Sequence, residues 1–167
     1  MKRAMNRMTV VGLAIATVVV MTALIAGADQ TNGTGKTAGG FTVGYNAKAD
    51  LTGSFEYQPT INAVDLNIHC NDYTRYFQTF TNSGFPKSIF NATNCFDTDG
   101  VRYYVHVEAV DRGEPGVASG DSLCITVKTF PAKNSLWTFK DCGTITDGNV
   151  QIHPDTQDTI VDDGTTA

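Results

Sequence analysis

The sequence predicts an all-β fold: an antiparallel meander of about eight short strands that closes as a small barrel. Two observations indicate this fold. After residue 28 the apolar residues alternate with polar ones, and segments rich in Gly, Asn, Asp and Pro separate the alternating runs. No stretch after residue 28 keeps helical spacing for three turns, and the connections are too short for crossover helices. A two-sheet β-sandwich made from the same strands is the alternative.

The first 28 residues have the composition of an export signal. Lys2, Arg3 and Arg7 precede an uncharged run from Met8 to Ala28, which ends in Ala-Gly-Ala. A charged front, an apolar middle and a small-residue end are typical of a secretory signal peptide cleaved after residue 28. The run is also long enough to cross a bilayer, so an uncleaved membrane anchor is the alternative. In either case one N-terminal apolar helix is expected before the β domain.

Composition divides the rest of the chain into three parts. Residues 29–40 are rich in Gly and Thr and are expected to form a flexible spacer. Residues 41–153 carry the alternation and form the β domain, while residues 154–167 are acidic and are expected to be a disordered tail. Without the signal the chain loses three of twelve Lys and Arg and none of seventeen Asp and Glu, which leaves a net charge of −8. No basic cluster exists, so no nucleic-acid partner is expected.

The alternation is clearest from Phe41 to Tyr57. Its odd positions are mostly apolar or aromatic and its even positions polar, and Asp50 to Gly53 is the natural place for a turn. One face of this segment is therefore expected to be buried and the other wet. The further strands are predicted at Val64–Ile68, Val101–Val110, Ser122–Phe130, Trp137–Phe139 and Val150–Ile152.

Four cysteines in an exported chain predict two disulfides. If residues 130–135 form a hairpin turn, Cys124 and Cys142 lie opposite each other on the polar face of paired strands, within disulfide reach. Cys70 then pairs with Cys95. A redox or metal site is disfavoured because the chain has no CxxC motif and no zinc-finger spacing.

The connection VDRGEPGVASGD, which starts at Val110, is the most site-like segment. Asp111, Glu114 and Asp121 are candidate Ca²⁺ ligands, because carboxylate oxygens at a loop mouth suit a hard cation. No other cofactor is expected. The competing interpretation is a turn whose glycines permit unusual backbone angles and whose aspartates accept backbone N–H bonds at the strand ends.

The same loop carries a family resemblance. Asp-x-Gly-Glu-Pro-Gly, then Asp before the next strand, and a closing Gly-Asn-x-Gln-Ile-His resemble the C-terminal half of the bacterial secreted post-COAP domain family. The opening strand FTVGYNAKADLTGSFEY is similar to the opening of that family as well. The resemblance implies an exported bacterial all-β domain and implies no activity. The matching positions are Asp111, Gly113, Glu114, Pro115, Gly116, Asp121, Gly148, Asn149, Gln151, Ile152 and His153.

The function predicted from these features is that of a secreted or cell-surface structural or binding module. No catalytic sequence motif is present, which favours a non-enzymatic protein. One alternative is a subunit of a surface filament that assembles by strand addition through residues 29–40. Another is a small barrel enzyme with an interior cavity. The partner is expected in the cell envelope or in a second copy of the chain, and membrane contact only through residues 8–28 if these are retained.

Overall fold

The computed structural model describes residues 29–130, 138–153 and 159–162. Within these ranges the chain is mostly β, and its antiparallel sheet curls into a half-barrel. The predicted N-terminal helix, its cleavage site and the hairpin turn after residue 130 lie outside the described residues. In the part that is described, no helix has the length and apolar character needed to cross a membrane.

The described residues form more strands than the sequence predicts, because several strands are very short and others lie in segments where no strand was predicted. The one helix among the described residues, α1, has four residues and covers Gly116–Ser119. The strands are β1 (Gln30–Lys36), β2 (Thr42–Lys48), β3 (Gly53–Gln58), β4 (Thr60–Ile61), β5 (Val64–Asp65), β6 (Ile68–Asn71), β7 (Arg75–Phe80), β8 (Pro86–Phe96), β9 (Arg102–Val110), β10 (Ser122–Thr129), β11 (Thr138–Thr144), β12 (Asp147–His153) and β13 (Thr159–Asp162).

The main sheet runs in the order β11-β10-β9-β8-β6-β3-β2-β1-β12, and every pairing in it is antiparallel. β7 lies off this path between β8 and β13, and β4 with β5 forms a separate small hairpin. The long strand β8 pairs with β7 through its first half and with β6 at its end. A shift in register between Ala92 and Cys95 separates the two halves. This shift lets one strand serve two neighbours and bends the sheet.

Alternation places the core where the sequence predicts it. Val43, Tyr45 and Ala47 of β2 are buried, as are Phe55 and Tyr57 of β3, while the residues between them are partly or fully exposed. Strands β9 and β10 repeat the pattern. Burying a large apolar side chain such as Val43 or Phe55 contributes roughly 1.5–3 kcal/mol.

The interpretation of residues 29–40 as a flexible spacer is wrong. Strand β1 occupies most of this segment and pairs along its full length with β2 on one side and β12 on the other. Its glycines have a packing role, since a Cβ atom on Gly33 would stand 2.3 Å from the ring of Tyr45. The tyrosine therefore lies directly over the glycine, and the missing side chain makes room for the core.

The interpretation of residues 154–167 as a disordered tail is wrong for the four residues of β13, which pair with β7. The rest of the tail lies outside the described residues. Strands β7 and β8 were not predicted at all. Their inward positions include polar or small residues, Gln78, Ser88 and Thr93, and the register shift in β8 moves the buried positions from even to odd. Simple alternation is lost there.

Both disulfides have the pairing that the sequence predicts. Cys124 faces Cys142 across β10 and β11, with Lys128 opposite Thr138 in the same register. Cys70 faces Cys95 across β6 and β8. The first disulfide lies on the outer face and the second in the core. A native disulfide typically adds about 2–4 kcal/mol by restricting the unfolded chain.

Candidate functional site

Two of the predicted ligand carboxylates lie along the outer edge of β12. This strand pairs with β1 on one side, and the N–H groups of Val150 and Ile152 point to the other. Val150 donates to Oδ2 of Asp121 and Ile152 donates to Oδ2 of Asp111, each at 3.0 Å. The carboxylate oxygens thus take the position that the carbonyl oxygens of a neighbouring strand would occupy. They satisfy the N–H donors of an edge strand that would otherwise be open to pairing with a further strand.

The remaining oxygens of these aspartates hold the connection itself. Oδ1 of Asp121 accepts from the backbone N–H of Arg112 at 2.7 Å, and Oδ1 of Asp111 accepts from Gly113 at 2.8 Å. Gly113 has a φ of 109°, which requires glycine. Burial raises the pKa of Asp121, the two N–H donors lower it, and the nearby carboxylates of Asp111 and Glu114 raise it again. We call residues 111–121 the seam loop.

The third carboxylate of the seam loop also contacts β12. Oε1 of Glu114 accepts from Nδ2 of Asn149 at 2.7 Å and from Nε2 of Gln151 at 3.0 Å. These two donors lower the pKa of the exposed Glu114 carboxyl. Gly116 lies close to both Asn149 and Asp121: a Cβ atom on it would stand 2.2 Å from Oδ1 of Asn149 and 2.5 Å from Oδ2 of Asp121. Only glycine fits at that position.

The two halves of the motif behind the family resemblance therefore contact each other. Every carboxylate of the first half bonds a residue of the second, and the contacts pair Asp111 with Ile152, Glu114 with Asn149 and Gln151, and Asp121 with Val150. The bonded residues are 29 to 41 positions apart in the sequence. Their physical connection is the set of hydrogen bonds between the seam loop and β12.

A third aspartate, which sequence reasoning did not single out, covers the opposite end of the sheet. Asp141 of β11 is buried and accepts from the backbone N–H of Gly39 and from the hydroxyl of Tyr57, each at 3.0 Å. Burial and the charge of Asp141 raise the pKa of Tyr57. The signal was present in the sequence, because an outward Cys142 requires its neighbour to point inward. The turn at residues 37–40 thus lies against β11.

Calcium binding remains a prediction. All four oxygens of Asp111 and Asp121 accept backbone N–H bonds, so a cation would have to displace at least some of those bonds. Across residues 29–130 and 138–153, no group of three or more His, Cys, Asp and Glu side chains is placed to hold a metal ion. The geometry instead matches the turn interpretation of the same acids.

A second set of ionisable groups forms a chain on the outer face of β8 and β9. Nδ1 of His106 lies 2.7 Å from Oδ1 of Asn91, and its Nε2 lies 3.4 Å from Oε1 of Glu108. The other oxygen of Glu108 accepts from the Lys87 ammonium at 2.6 Å, and that hydrogen bond lowers the pKa of Glu108. Both ring nitrogens of the histidine are engaged, which is typical of a surface ion-pair network.

Uncharged polar side chains form a row across the outer face of five strands. Cross-strand partners follow one another from β12 through β1, β2 and β3 to β6. We call this set the amide row; its members are Gln151, Asn32, Asn46, Ser54 and Asn71.

A cleft of about 180 Å³ lies at the β12 end of the row and is lined by Asn32, Gly33, Thr34, Asn149 and Gln151. The carboxamide oxygens of Asn46 and Asn149 are buried and accept no hydrogen bond within the described part of the chain. A second cleft, of about 500 Å³, is lined by Gln58, Asp65, Leu66, Asn67 and Thr98.

Comparison with known proteins does not assign a family. No protein-family model matches the chain, and no curated protein or solved structure is significantly similar to it.

Proposed function

We propose that this chain is an exported, non-enzymatic β-domain that serves outside the cytoplasm as a structural or binding module. The observation that supports this proposal most directly is the pair of disulfides, Cys70–Cys95 and Cys124–Cys142. Disulfides form and persist in oxidising compartments and are rare in the reducing cytosol. The export-type composition of residues 1–28 agrees with this location.

The use of the acidic side chains supports a structural or binding role over catalysis. Both carboxylate oxygens of Asp111, Asp121 and Asp141 accept hydrogen bonds. These bonds hold β12, β11 and the turns beside them in place. We expect these contacts to close the half-barrel into a barrel. At the line of closure, along β12, carboxylates would accept the hydrogen bonds that a neighbouring strand would otherwise accept. A carboxylate that is fully engaged in this way is a poor acid or base.

The filament alternative would require a larger rearrangement than the sequence suggests. Strand β1, which would be the donated segment, is paired along both edges within its own chain. Donating it to a second copy would break both ladders before forming new ones. The resemblance to post-COAP domains is also retained as a proposal.

Location and redox state test the proposal. The full chain is expressed in an export-competent bacterium, and a chain that lacks residues 2–28 serves as the matched control. We expect the full chain in the extracytoplasmic fraction with no free thiol, and the control in the cytoplasm with titratable thiols. A full chain that stays in the cytoplasm in reduced form would refute export.

A further inference from the structure

We propose that the amide row binds a neutral, extended glycan on the outer face of β12, β1, β2, β3 and β6. This inference rests on the proposed function as a binding module, and it names the ligand class and the surface. The row consists of Gln151, Asn32, Asn46, Ser54 and Asn71, which are successive partners in the register of the five strands.

The residue types of the row are poorly explained by folding. Asn is depleted in β-strands, where β-branched and aromatic residues are preferred on structural grounds. Asn32 and Asn46 nevertheless occupy the middle of β1 and β2. Neither these two side chains nor that of Asn71 hydrogen-bonds another described residue. Residues that oppose the local preference without a compensating contact are expected at functional surfaces.

The hydrogen-bonding capacity of the row matches sugar hydroxyls. Each carboxamide offers two donors and one acceptor atom side by side, and a hydroxyl group also donates and accepts. The Oδ1 atom of Asn46 is buried and accepts no bond from described residues, and the Oδ1 atom of Asn149 faces Gly116 of the seam loop, so the exposed parts of the row are what a ligand would contact. Glu114 uses only Oε1 for its bonds to β12, which leaves Oε2 for a further donor beside the cleft.

The shape of the surface favours an extended ligand. Strands in a sheet lie about 4.7–4.9 Å apart, so the row spans on the order of 20 Å from its first to its last member. Beside it, Gly44 stands between Thr34 and Glu56 in the register, and nothing lies within 4 Å of where its Cβ would be. The missing side chain leaves open space next to the row, and the cleft lies at the β12 end of the row.

Charge selects against the other ligand classes. Among the charged side chains next to the row, Glu56 and Glu114 outnumber Lys48, and removal of residues 1–28 leaves the chain at a net charge of −8. An anionic glycan or a nucleic acid would be repelled. A protein partner is disfavoured because the centre of a protein interface is enriched in aromatic residues, and the row contains none.

Binding by the oxidised chain from the exported fraction tests the inference. The probes are linear neutral hexasaccharides of glucose and of N-acetylglucosamine, together with an anionic hexagalacturonate, measured by isothermal titration calorimetry. The double variant Asn32→Thr, Asn46→Thr keeps strand-compatible side chains but removes two carboxamides. We expect roughly tenfold weaker binding of a neutral hexasaccharide, since each hydrogen bond contributes about 0.5–1.5 kcal/mol. The matched control, Thr126→Val on the outer face of β10, should bind as the wild type does.

Side-chain amide resonances of the unmodified protein give a readout that does not depend on variants. A neutral glycan should shift the amide signals of the row and leave that of Asn91 on β8 unchanged. The inference is overturned if no neutral hexasaccharide binds, if the anionic probe binds better, or if the shifts fall elsewhere. Failure of binding in exported, oxidised protein overturns this inference alone. A reduced, cytoplasmic chain overturns the proposed function instead.

Discussion

Replacement of Asp121 by Asn tests directly whether carboxylates close the sheet. The Asp121 side chain is fully buried and accepts one N–H bond on each oxygen, from Arg112 at 2.7 Å and from Val150 at 3.0 Å. Asparagine keeps one acceptor and presents an NH₂ group where the other was. One backbone N–H is then buried without a partner, which costs about 1–3 kcal/mol.

Two effects set the expected size of this change. Removal of a charge whose pKa is raised by burial returns part of the cost, so we expect a net loss of about 1–2 kcal/mol at neutral pH. The raised pKa means that the folded state holds the proton more readily than the unfolded state does. The contribution of Asp121 to stability therefore falls as the pH rises from the ordinary pKa of an aspartate through the raised pKa of Asp121 in the folded state. The difference between wild type and Asp121→Asn should change with pH, since only the wild type titrates.

The assay is urea unfolding followed by circular dichroism, with both disulfides intact. The matched control is Asp99→Asn, an exposed aspartate in the turn before β9, which should leave the midpoint almost unchanged. Amide hydrogen exchange adds a local readout, because loss of the acceptor should speed exchange at Val150 before it affects the paired Gln151. The reasoning is refuted if Asp121→Asn is as stable as the wild type and Val150 remains protected.

Three further predictions concern packing, pH and calcium. Gly33→Ala should destabilise the domain by about 1–3 kcal/mol, because the new Cβ would stand 2.3 Å from the ring of Tyr45. The control Gly44→Ala places its Cβ in open space and should be neutral or stabilising. Equal urea midpoints for the two variants would contradict this prediction. Burial raises the pKa of Tyr76 to about 12. Unfolding should therefore become easier as the pH rises from about 10 towards 12, because in that range only the tyrosine of the unfolded chain ionises. Urea midpoints that do not change between pH 9 and pH 12 would argue against this effect of Tyr76. Millimolar Ca²⁺ should leave the thermal midpoint unchanged, because the oxygens of Asp111 and Asp121 already accept backbone N–H bonds. A rise in the midpoint would instead support the calcium interpretation of Asp111, Glu114 and Asp121.

The part of the fold that sequence reasoning predicted is the part with a strong periodic signal. Strands β2, β3, β9 and β10 bury large side chains at every second position, and this spacing survives any tertiary arrangement because the pleat has a period of two. The pairing of Cys124 with Cys142 followed from the same rule, since two residues at equal distance from a hairpin turn face each other. These inferences needed only local geometry.

Strands without a hydrophobic signal escaped prediction. β1 buries Thr31 and Gly33, which look like spacer residues in the sequence, and its position depends on the ring of Tyr45 and on ladders to two other strands. β7 and β8 bury Gln78 and Ser88, which oppose each other across the pair. A polar residue is assigned to the inside only when its partners are known, and those partners lie on other strands.

The candidate site shows the same division. The sequence by itself indicated export, two disulfides, an all-β fold and a connection that carries three acids, Asp111, Glu114 and Asp121. Only the tertiary structure shows which groups those acids contact, because the backbone N–H groups and amides of β12 lie 29 to 41 residues further along the chain. The amide row likewise exists only in the register of five strands, and register across a sheet is set by packing and long-range pairing rather than by any local pattern.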